Sequence, residues 1–486
     1  MGGRVRNESG AGADPEGLRT VASSTRVKFS SSLADPRVAV AVRTIARRGG
    51  VAVTVDETDL EAELVERVAA IDVAKASGMI CTRVPHGTRK GRRVQEVWNV
   101  ASTTAGILEL GARLKALGIT RVVMEATGVY WKPFFFLLES CGLECWLVNA
   151  RDVKNVPGRP KTDKLDAVWL AKLAERGMLR ASFVPQRPLR QLRDLTRLRS
   201  ALTQERTRHK HRVEKVLEDA QIKLSSVLAN IFGLSGRLML DALISGVRDP
   251  QELAALAQGK AKSKREALTA ALTGQFDEHH AYLLGTLLEA IDRLQSQIDE
   301  LTTRITDRLA ELSRDADVPD AEGLTPQQRL DEIPGIGPAT AQVILAEIGL
   351  DMSVFPTAGH LVSWAKLSPR TIQSAGKNFP GGTGQGNPWL KGALGEAAMA
   401  AARTNTFLGA RYKRLVKRRG HGKALVAVAR SILVIVWHLL SDPDTRFHDL
   451  GSDYHLRVVN SAARTRGLIR QLEALGHDVT IAPKAV

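Results

Sequence analysis

A repeat of aliphatic residues near the middle of the chain constrains the fold more than any other feature. Its members recur at spacings of four and three, as in the heptads of a coiled coil, and only Arg308 interrupts them. They are Leu287, Ile291, Leu294, Ile298, Leu301, Ile305 and Leu312. A helix with this seam must bury it against a partner helix from the same chain or from another subunit. We therefore expect long helices over residues 187–230 and 264–313, in a coiled coil or a long hairpin.

The balance of charged residues predicts an anionic partner. The 486 residues include 69 Lys and Arg against 52 Asp and Glu, which gives a formal net charge of +17. Nucleic acid is the commonest partner of a soluble chain this basic. A hydrophobic content of 44% is that of an ordinary globular protein, and the length favours two or three domains.

Cysteine usage and hydropathy favour the cytoplasm. Cys81, Cys141 and Cys145 provide neither a disulfide framework nor a set of zinc ligands. The most apolar run, residues 424–440, contains Arg430 and His438, so a buried helix explains it better than a membrane span. The N-terminus lacks the apolar core of a signal peptide. We expect a cytoplasmic protein with no membrane role.

The pattern of the chain changes near residue 66. Residues 1–65 are rich in Ser, Gly, Ala and Arg, and we predict either a poorly ordered extension there or upstream sequence included by the choice of start codon. Short β-branched runs then occur at 68–75, 94–101, 121–128 and 144–150, and residues 104–117 have a helical period. Strands that come first in hairpins and then alternate with helices describe an α/β domain with a mixed sheet.

Four acidic residues of this domain form a candidate metal site. Asp72 and Glu125 each end a predicted buried strand, where an unpaired carboxylate would be costly. Asp163 and Asp166 lie three residues apart in the first turn of a predicted helix and therefore share a face. Clustered carboxylates on rigid elements suit a hard divalent cation. The approach to the helix is basic and contains Arg159, Lys161 and Lys164, which are candidate phosphate contacts.

Taken singly, each acid also has a plainer explanation. Asp163 is an acid that the helix dipole favours in a first turn, Asp72 is a turn former after a strand, and Glu125 is a partner for an arginine. Together, beside the basic approach, the four favour a metal site facing a phosphate backbone.

Two basic blocks lie outside this domain. The first helix of the predicted hairpin carries ten basic residues against three acidic ones, among them Arg197 and Arg208 as candidate phosphate contacts. A solvated helix face is the alternative. The second block follows the motif IPGIGPATA, which is either a helix-hairpin-helix turn or a helix-capping turn. Its candidate contacts are Lys377, Lys391, Arg414, Lys417 and Arg418.

Several of these segments resemble one known family. IDVAK, VVMEATGVYW, VNARDVKNVPGRPKTDKLDAVWLAKL, IPGIGPATA, SPRTIQSAGK and ARSILVIVWHLL occur in this order between about residues 66 and 445. They closely resemble the DEDD transposases of the insertion-sequence family one-ten, recombinases that a structured bridge RNA guides. The resemblance covers most of the chain and its motifs are long.

The resemblance implies a fold and a division into domains. It implies an α/β RuvC-like domain of RNase H type over 66–185, a helical coiled-coil region over 186–325 and a mainly α-helical transposase domain over 326–445. The last domain would contain the helix-hairpin-helix-like turn. Residues 446–486 would form a C-terminal tail.

The resemblance also implies roles for particular residues. Asp72, Glu125, Asp163 and Asp166 match the D, E, D and D acids that bind Mg²⁺, and the QSAGK motif places a serine nucleophile at Ser374. This serine would attack a DNA phosphodiester and hold the strand as a phosphoserine. The acids and the serine of one site can come from different subunits of the family's oligomers, so a homo-oligomer is expected.

The chain departs from the family pattern at the serine motif. Relatives often have S-S-G-G-K where this chain has QSAGK, and by its context alone Ser374 is an ordinary turn residue. Ser368 and then Ser363 are the alternatives.

Three other functions remain open. A Holliday-junction-resolvase-like nuclease would use the four acids without a covalent serine intermediate. A non-catalytic nucleic-acid-binding protein would need neither the acids nor the serine. A coiled-coil scaffold would explain the heptads alone and leave the acids and the basic blocks unexplained.

Overall fold

The chain divides into two compact units in a computed structural model. They are Met1–Arg180 and Ala181–Val486. The model describes residues 65–89, 91–126, 128–149, 162–315, 323–369, 371–374, 376–457 and 461–481. The extension predicted over 1–65 lies, apart from Val65, outside the described residues.

The first unit contains a mixed five-stranded sheet. Its strands are β1 (Val68–Val73), β2 (Ser77–Pro85), β3 (Arg93–Ala101), β4 (Arg121–Glu125) and β5 (Glu144–Val148). They lie in the order β3-β2-β1-β4-β5. The first three form an antiparallel meander, while β4 is parallel to β1 and β5 is parallel to β4. The predicted RNase H-like α/β fold is confirmed. Strand β2 was not predicted, because its buried positions do not alternate along the strand.

Helices cover both faces of this sheet. They are α1 (Thr104–Ala116), α2 (Trp131–Ser140) and α3 (Asp163–Glu175). A core on one face joins Val68, Ala70 and Val123 of the strands to Ala167 and Leu170 of α3. On the other face a Cβ added to Gly78 would lie 2.9 Å from both Ile71 Cγ2 and Phe134 Cζ, so β1 and α2 pack closely there.

The second unit is organised around a long antiparallel hairpin of α4 (Arg187–Asp219) and α9 (Glu278–Asp315). Its direction follows from contacts such as Arg206 to Gln295 and Arg199 to Thr302. The predicted heptad seam is confirmed, and its partner helix comes from the same chain. Where Arg308 interrupts the repeat, the neighbouring Leu309 enters the core and is 5% exposed.

The predicted helix bounds overran the ends of this hairpin. The first helix ends at Asp219 rather than 230, and the second begins at Glu278 rather than 264. A Cβ on Gly274 would lie 2.4 Å from the carbonyl oxygen of Ala220, so glycine is needed where the chain passes the end of α4. The connecting helices form a small cap with its own core. They are α5 (Leu224–Val227), α6 (Leu234–Ile244), α7 (Pro250–Ala255) and α8 (Arg265–Leu272), with a 3₁₀ turn at Gly259–Lys264.

The rest of the second unit is mainly helical. Its helices are α10 (Pro326–Asp331), α11 (Pro338–Ile348), α12 (Ala358–Trp364), α13 (Pro388–Ala401), α14 (Phe407–Arg419), α15 (His421–Ser441), α16 (Tyr454–Arg457) and α17 (Ser461–Ala474). A 3₁₀ turn lies at Met352–Val354, and the strands β6 (Thr371–Ser374) and β7 (Lys377–Pro380) form a hairpin.

Helix α15 holds this core together. By length and apolarity it is one helix that could cross a membrane. In this fold Val428, Ile432 and Val436 are fully buried, and they belong to one core with residues of α4, α9, α11 and α13. The prediction of a buried helix is confirmed.

The PGIG motif forms a turn packed against α13. Gly335 has φ +95°, and a Cβ there would lie 2.2 Å from the carbonyl oxygen of Ala397. Gly337 is the N-cap of α11. Close packing and helix capping therefore account for both glycines.

Candidate functional site

Asp72 and Glu125 occupy neighbouring positions on adjacent parallel strands. Ile71 pairs with Met124, so the next residue of each strand falls at the same level of the sheet. Because side chains alternate along a strand, Asp72 lies on the face of Ala70, and Glu125 lies on the face of Val123. That is the face that α3 covers. Both acids are half-buried.

Helix α3 runs back along β1 and brings its first turn toward the two strand-end acids. The backbone N–H of Val65 donates to the carbonyl of Glu175 at 2.9 Å, which joins the end of α3 to the approach to β1. From Glu175 back to Asp163 the helix rises about 18 Å. From Val65 to Asp72 the strand extends about 23 Å. Asp163 thus lies toward the same end of the sheet as Asp72.

Local sequence explains why α3 begins where it does. Thr162 is the N-cap, and its hydroxyl accepts from the backbone N–H of Leu165 at 3.3 Å. Asp163 and Asp166 follow in the first turn, where the helix dipole favours negative charge. Asp163 is exposed. Asp166, which precedes the buried Ala167, is half-buried.

A buried ion-pair cluster, which sequence reasoning missed, fixes the other end of α3. Glu175 is 8% exposed. It accepts from Arg83 Nε at 2.5 Å and from Arg93 Nε at 2.6 Å, and so ties the helix to β2 and β3. Only contacts between elements distant in sequence reveal this role.

The four acids suit a divalent cation in chemistry and placement but do not form a closed ligand set. They are carboxylates at one end of one face of the sheet, as a hard cation prefers. Within the described residues, however, no three Asp, Glu, His or Cys side chains lie close enough together to hold one ion. The basic approach is described only from Thr162 onward. Lys164 is exposed beside Asp163, and Arg159 and Lys161 lie outside the described residues.

Ser374 ends strand β6 at the turn of a short hairpin in the second unit. It pairs with Lys377 of β7, and Gly376 between them has φ +75°. Sequence reasoning predicted a turn here but not the flanking strands. Of the alternatives, Ser363 is exposed and Ser368 is half-buried.

Two segments of the chain match the models of known protein families. Residues 69–222 match the DEDD transposase model of IS110, and residues 327–413 match the transposase model of the IS116/IS110/IS902 family. The first match spans all four acids. The chain belongs to the IS110 family of transposases.

Individual relatives agree with this assignment. The transposase for insertion sequence element IS1111A of Coxiella burnetii is 25% identical over 392 residues, which cover 78% of this chain and 91% of that protein. An IS110 insertion element protein of 43.6 kDa from Streptomyces coelicolor is 28% identical, over 59% and 72% of the two chains. A mini-circle putative transposase for IS117 of the same organism is 33% identical, over 37% and 44%.

The family defines the activity in outline. An IS110-family transposase cleaves and transfers DNA strands, so this chain is an enzyme that binds DNA. The DEDD class implies a divalent metal ion.

In the transposase, many basic residues of α4 have intramolecular partners. Arg197 Nε and Nη2 donate to the two carboxylate oxygens of Glu347 at 2.7 and 2.8 Å. Arg193 Nε lies 3.4 Å from the same carboxylate, and burial, the largest effect, lowers the Arg193 pKa to about 10. Glu347 is fully buried and also accepts from Asn387 Nδ2 at 2.6 Å. The guanidinium of Arg197 thus has a structural partner, and its predicted phosphate contact stays a prediction.

The other candidate phosphate contacts of the transposase are more open. Arg208 is exposed, 4.0 Å from the exposed Glu205. Lys377 is exposed on β7, while Lys391 Nζ donates to the carbonyl of Gly384 at 2.5 Å, and burial lowers its pKa. Arg414, Lys417 and Arg418 lie together on α14.

Proposed function

We propose that this transposase cuts and rejoins DNA through a serine nucleophile, Ser374, with Mg²⁺ held by four acids. The acids are Asp72, Glu125, Asp163 and Asp166. The observation that carries the proposal is their placement at one end of one face of an RNase H-like sheet, in a chain of the DEDD class. Among the described residues, no three of these acids lie close enough together to hold one ion. We therefore expect metal and DNA binding to bring their carboxylates closer.

The chemistry requires no high-energy cofactor. The Oγ of Ser374 bonds to the phosphorus of a DNA phosphodiester, and the bond from phosphorus to one sugar oxygen breaks. The serine loses its proton, and the leaving oxygen takes up a proton. A sugar hydroxyl of the new partner strand then attacks the same phosphorus and releases the serine, so the number of phosphodiester bonds is unchanged. When bound, Mg²⁺ polarises the phosphate and stabilises the leaving oxygen.

The chain's own residues position this chemistry. Glu175, held by Arg83 and Arg93, fixes the far end of α3 and thereby the level at which Asp163 and Asp166 meet the strands. Lys164, with Arg159 and Lys161, would neutralise the phosphates that approach the acids.

Two variants test the proposal. Ser374→Ala and Asp163→Ala should each abolish the covalent protein–DNA adduct while DNA affinity is retained. Glu109→Gln, an exposed acid on α1, is the matched control and should keep full activity. Cleavage that survives Ser374→Ala would favour the resolvase-like nuclease. An adduct that disappears only in Ser368→Ala or Ser363→Ala would move the nucleophile to that serine.

We also propose that the active form is a homo-oligomer whose sites combine groups from two subunits. The support is the family resemblance. Mixing the Ser374→Ala and Asp163→Ala proteins should then restore part of the activity, because some sites receive one intact group from each subunit. A mixture as inactive as either variant alone would contradict the shared site.

Guidance by a structured RNA is the last part of the proposal and rests on the family resemblance alone. Sequencing the RNA that copurifies with the protein from the cytoplasm should return one defined species. Random cellular fragments would count against it.

A further inference from the structure

A basic cavity of about 450 Å³ lies beside α14 in the second unit. Four cations line it, namely Lys413, Arg414, Lys417 and Arg418. Ser452 and His455, from the end of the preceding loop and from α16, line it as well. No carboxylate is among the described residues that line it. The cavity therefore offers positive charge and hydrogen-bond donors to whatever enters it.

The four cations lack a counter-charge among the residues that the structure describes. Their spacing along α14 places them on one side of the helix, where like charges repel one another. All four are exposed. Within the part of the chain that the structure describes, none of them forms an ion pair, in contrast to Arg197 on α4. Such a cluster weakens an isolated helix and gains from a bound anion.

Two buried nitrogen atoms next to the cavity also favour a bound anion. Arg411 Nε and His455 Nε2 are buried, and neither has a hydrogen-bond partner among the described residues. Burial first, and then Arg414 and Arg411, lower the pKa of His455. Burial, Arg414 and Arg430 lower the pKa of Arg411. Both groups therefore lie close to positively charged arginines.

The lining also limits the kind of anion. No Phe, Tyr or Trp ring is among the described lining residues, and the imidazole of His455 is the one aromatic group there, so the cavity favours phosphate over a stacked nucleobase. The Phe407 ring instead packs against the ring of His455, with 5.1 Å between the ring centroids. Cations together with hydroxyl and imidazole groups are the ligands of phosphate oxygens.

We propose that this cavity is a phosphate site that seats phosphodiester groups of the DNA strand on which the transposase acts. The assignment rests on the proposed function, since DNA is the substrate there. It adds Lys413, Ser452 and His455 to the residues that contact DNA, and it gives the cations of α14 one shared ligand.

A salt titration of DNA binding tests the site. The double variant Lys417→Gln with Arg418→Gln removes two lining cations. Its control, Arg419→Gln with Lys423→Gln, removes two exposed cations that do not line the cavity, one at the end of α14 and one at the start of α15. The plot of log affinity against log salt should become shallower by about two in the first variant, because each phosphate contact contributes about 0.9. The control slope should stay close to that of the unaltered protein. Equal changes in both variants, or no change in the first, would overturn the site.

A second variant tests the interior of the cavity without changing its charge. His455→Gln should weaken DNA binding several-fold at pH 7.5 while the salt slope stays nearly constant, because a neutral group is exchanged for a neutral amide. Unchanged affinity in a folded His455→Gln protein would contradict seating at the cavity.

Two further measurements distinguish DNA binding at the cavity from RNA binding there, and the cavity from the serine mechanism. If the double variant weakens binding of an RNA of matched length but leaves DNA affinity and slope unchanged, the cavity serves RNA and the proposal is wrong. Ser374→Ala measured in the same titration should keep the full slope. Cleavage surviving in Ser374→Ala would overturn the serine mechanism, while the slope difference would still decide the cavity.

Discussion

Helices α4 and α14 are both rich in arginine and lysine, yet their charges serve different purposes. Along α4, Arg193 and Arg197 turn inward onto Glu347, and Arg199 donates to the side chain of Gln342 at 2.5 Å. Along α14, Lys413, Arg414, Lys417 and Arg418 are exposed around a cavity whose described lining contains no acid. The difference lies in the neighbours. α4 packs against α11, which carries a buried carboxylate, whereas the basic side of α14 faces solvent.

This contrast shows that the number of basic residues on a helix does not define a nucleic-acid surface. A buried arginine requires a partner, and the partner neutralises its charge inside the protein. Only cations without an internal partner remain to neutralise phosphates.

The largest expected effect is loss of the carboxylate that holds α4. Glu347→Gln leaves Arg193 and Arg197 partly buried without their counter-charge, so the free energy of unfolding should fall by about 3–5 kcal/mol. Urea denaturation would measure this. Glu396→Gln, an exposed acid on α13, is the control and should change stability by less than about 0.5 kcal/mol. Similar stabilities for Glu347→Gln and Glu396→Gln would contradict the structural role of Glu347.

A smaller loss of stability is expected on the arginine side. Arg197→Gln removes a bidentate pair with a fully buried carboxylate, and about 2–3 kcal/mol is the expected cost. The salt slope of DNA binding should stay unchanged, because the guanidinium is already occupied. A slope reduced by one with stability intact would instead make Arg197 a phosphate contact, as the sequence alone predicts.

Single exposed cations should show the opposite pattern. Arg414→Gln should reduce the salt slope by about one and leave the unfolding midpoint within error. Arg419→Gln provides the comparison on the same helix, since Arg419 is exposed but does not line the cavity. Equal slopes for both variants would mean that exposure alone, and not the cavity, decides contact with DNA.

The smallest expected effect concerns pH. Burial first, and then the charges of Arg414 and Arg411 on α14, lower the pKa of folded His455 from the ordinary 6.5. A lowered pKa means that the unfolded chain takes up the proton first, so stability is unaffected well above pH 6.5 and falls as pH drops below it. Unfolding measured at about pH 7.5 and pH 5.5 should show a shallower fall in Arg414→Gln and a still shallower one in His455→Gln. An unchanged or steeper fall in both would place His455 outside the field of Arg414.

Much of the fold followed from local patterns. The β-branched runs gave β1, β3, β4 and β5 to within a few residues at either end, and the heptads gave most of α9, because both patterns report burial of one face. Asp163 and Asp166 did fall in a first turn, since Thr162 caps the helix immediately before them. The hairpin at Thr371–Pro380 and the break at Gly274 were missed, because their bounds depend on contacts with distant backbone or on pairing across a short turn.

The sequence by itself determined the family, the type of sheet, the four acids and the excess of positive charge, because periodicity and residue type are local properties of the chain. Only the tertiary structure decided that the hairpin closes within one chain, that Glu175 and Glu347 are buried anchors, and that the cations of α14 surround a cavity. These are properties of pairs of residues up to 154 positions apart. The free energy of burying a charge depends on which partner the fold supplies, and no local pattern records that partner.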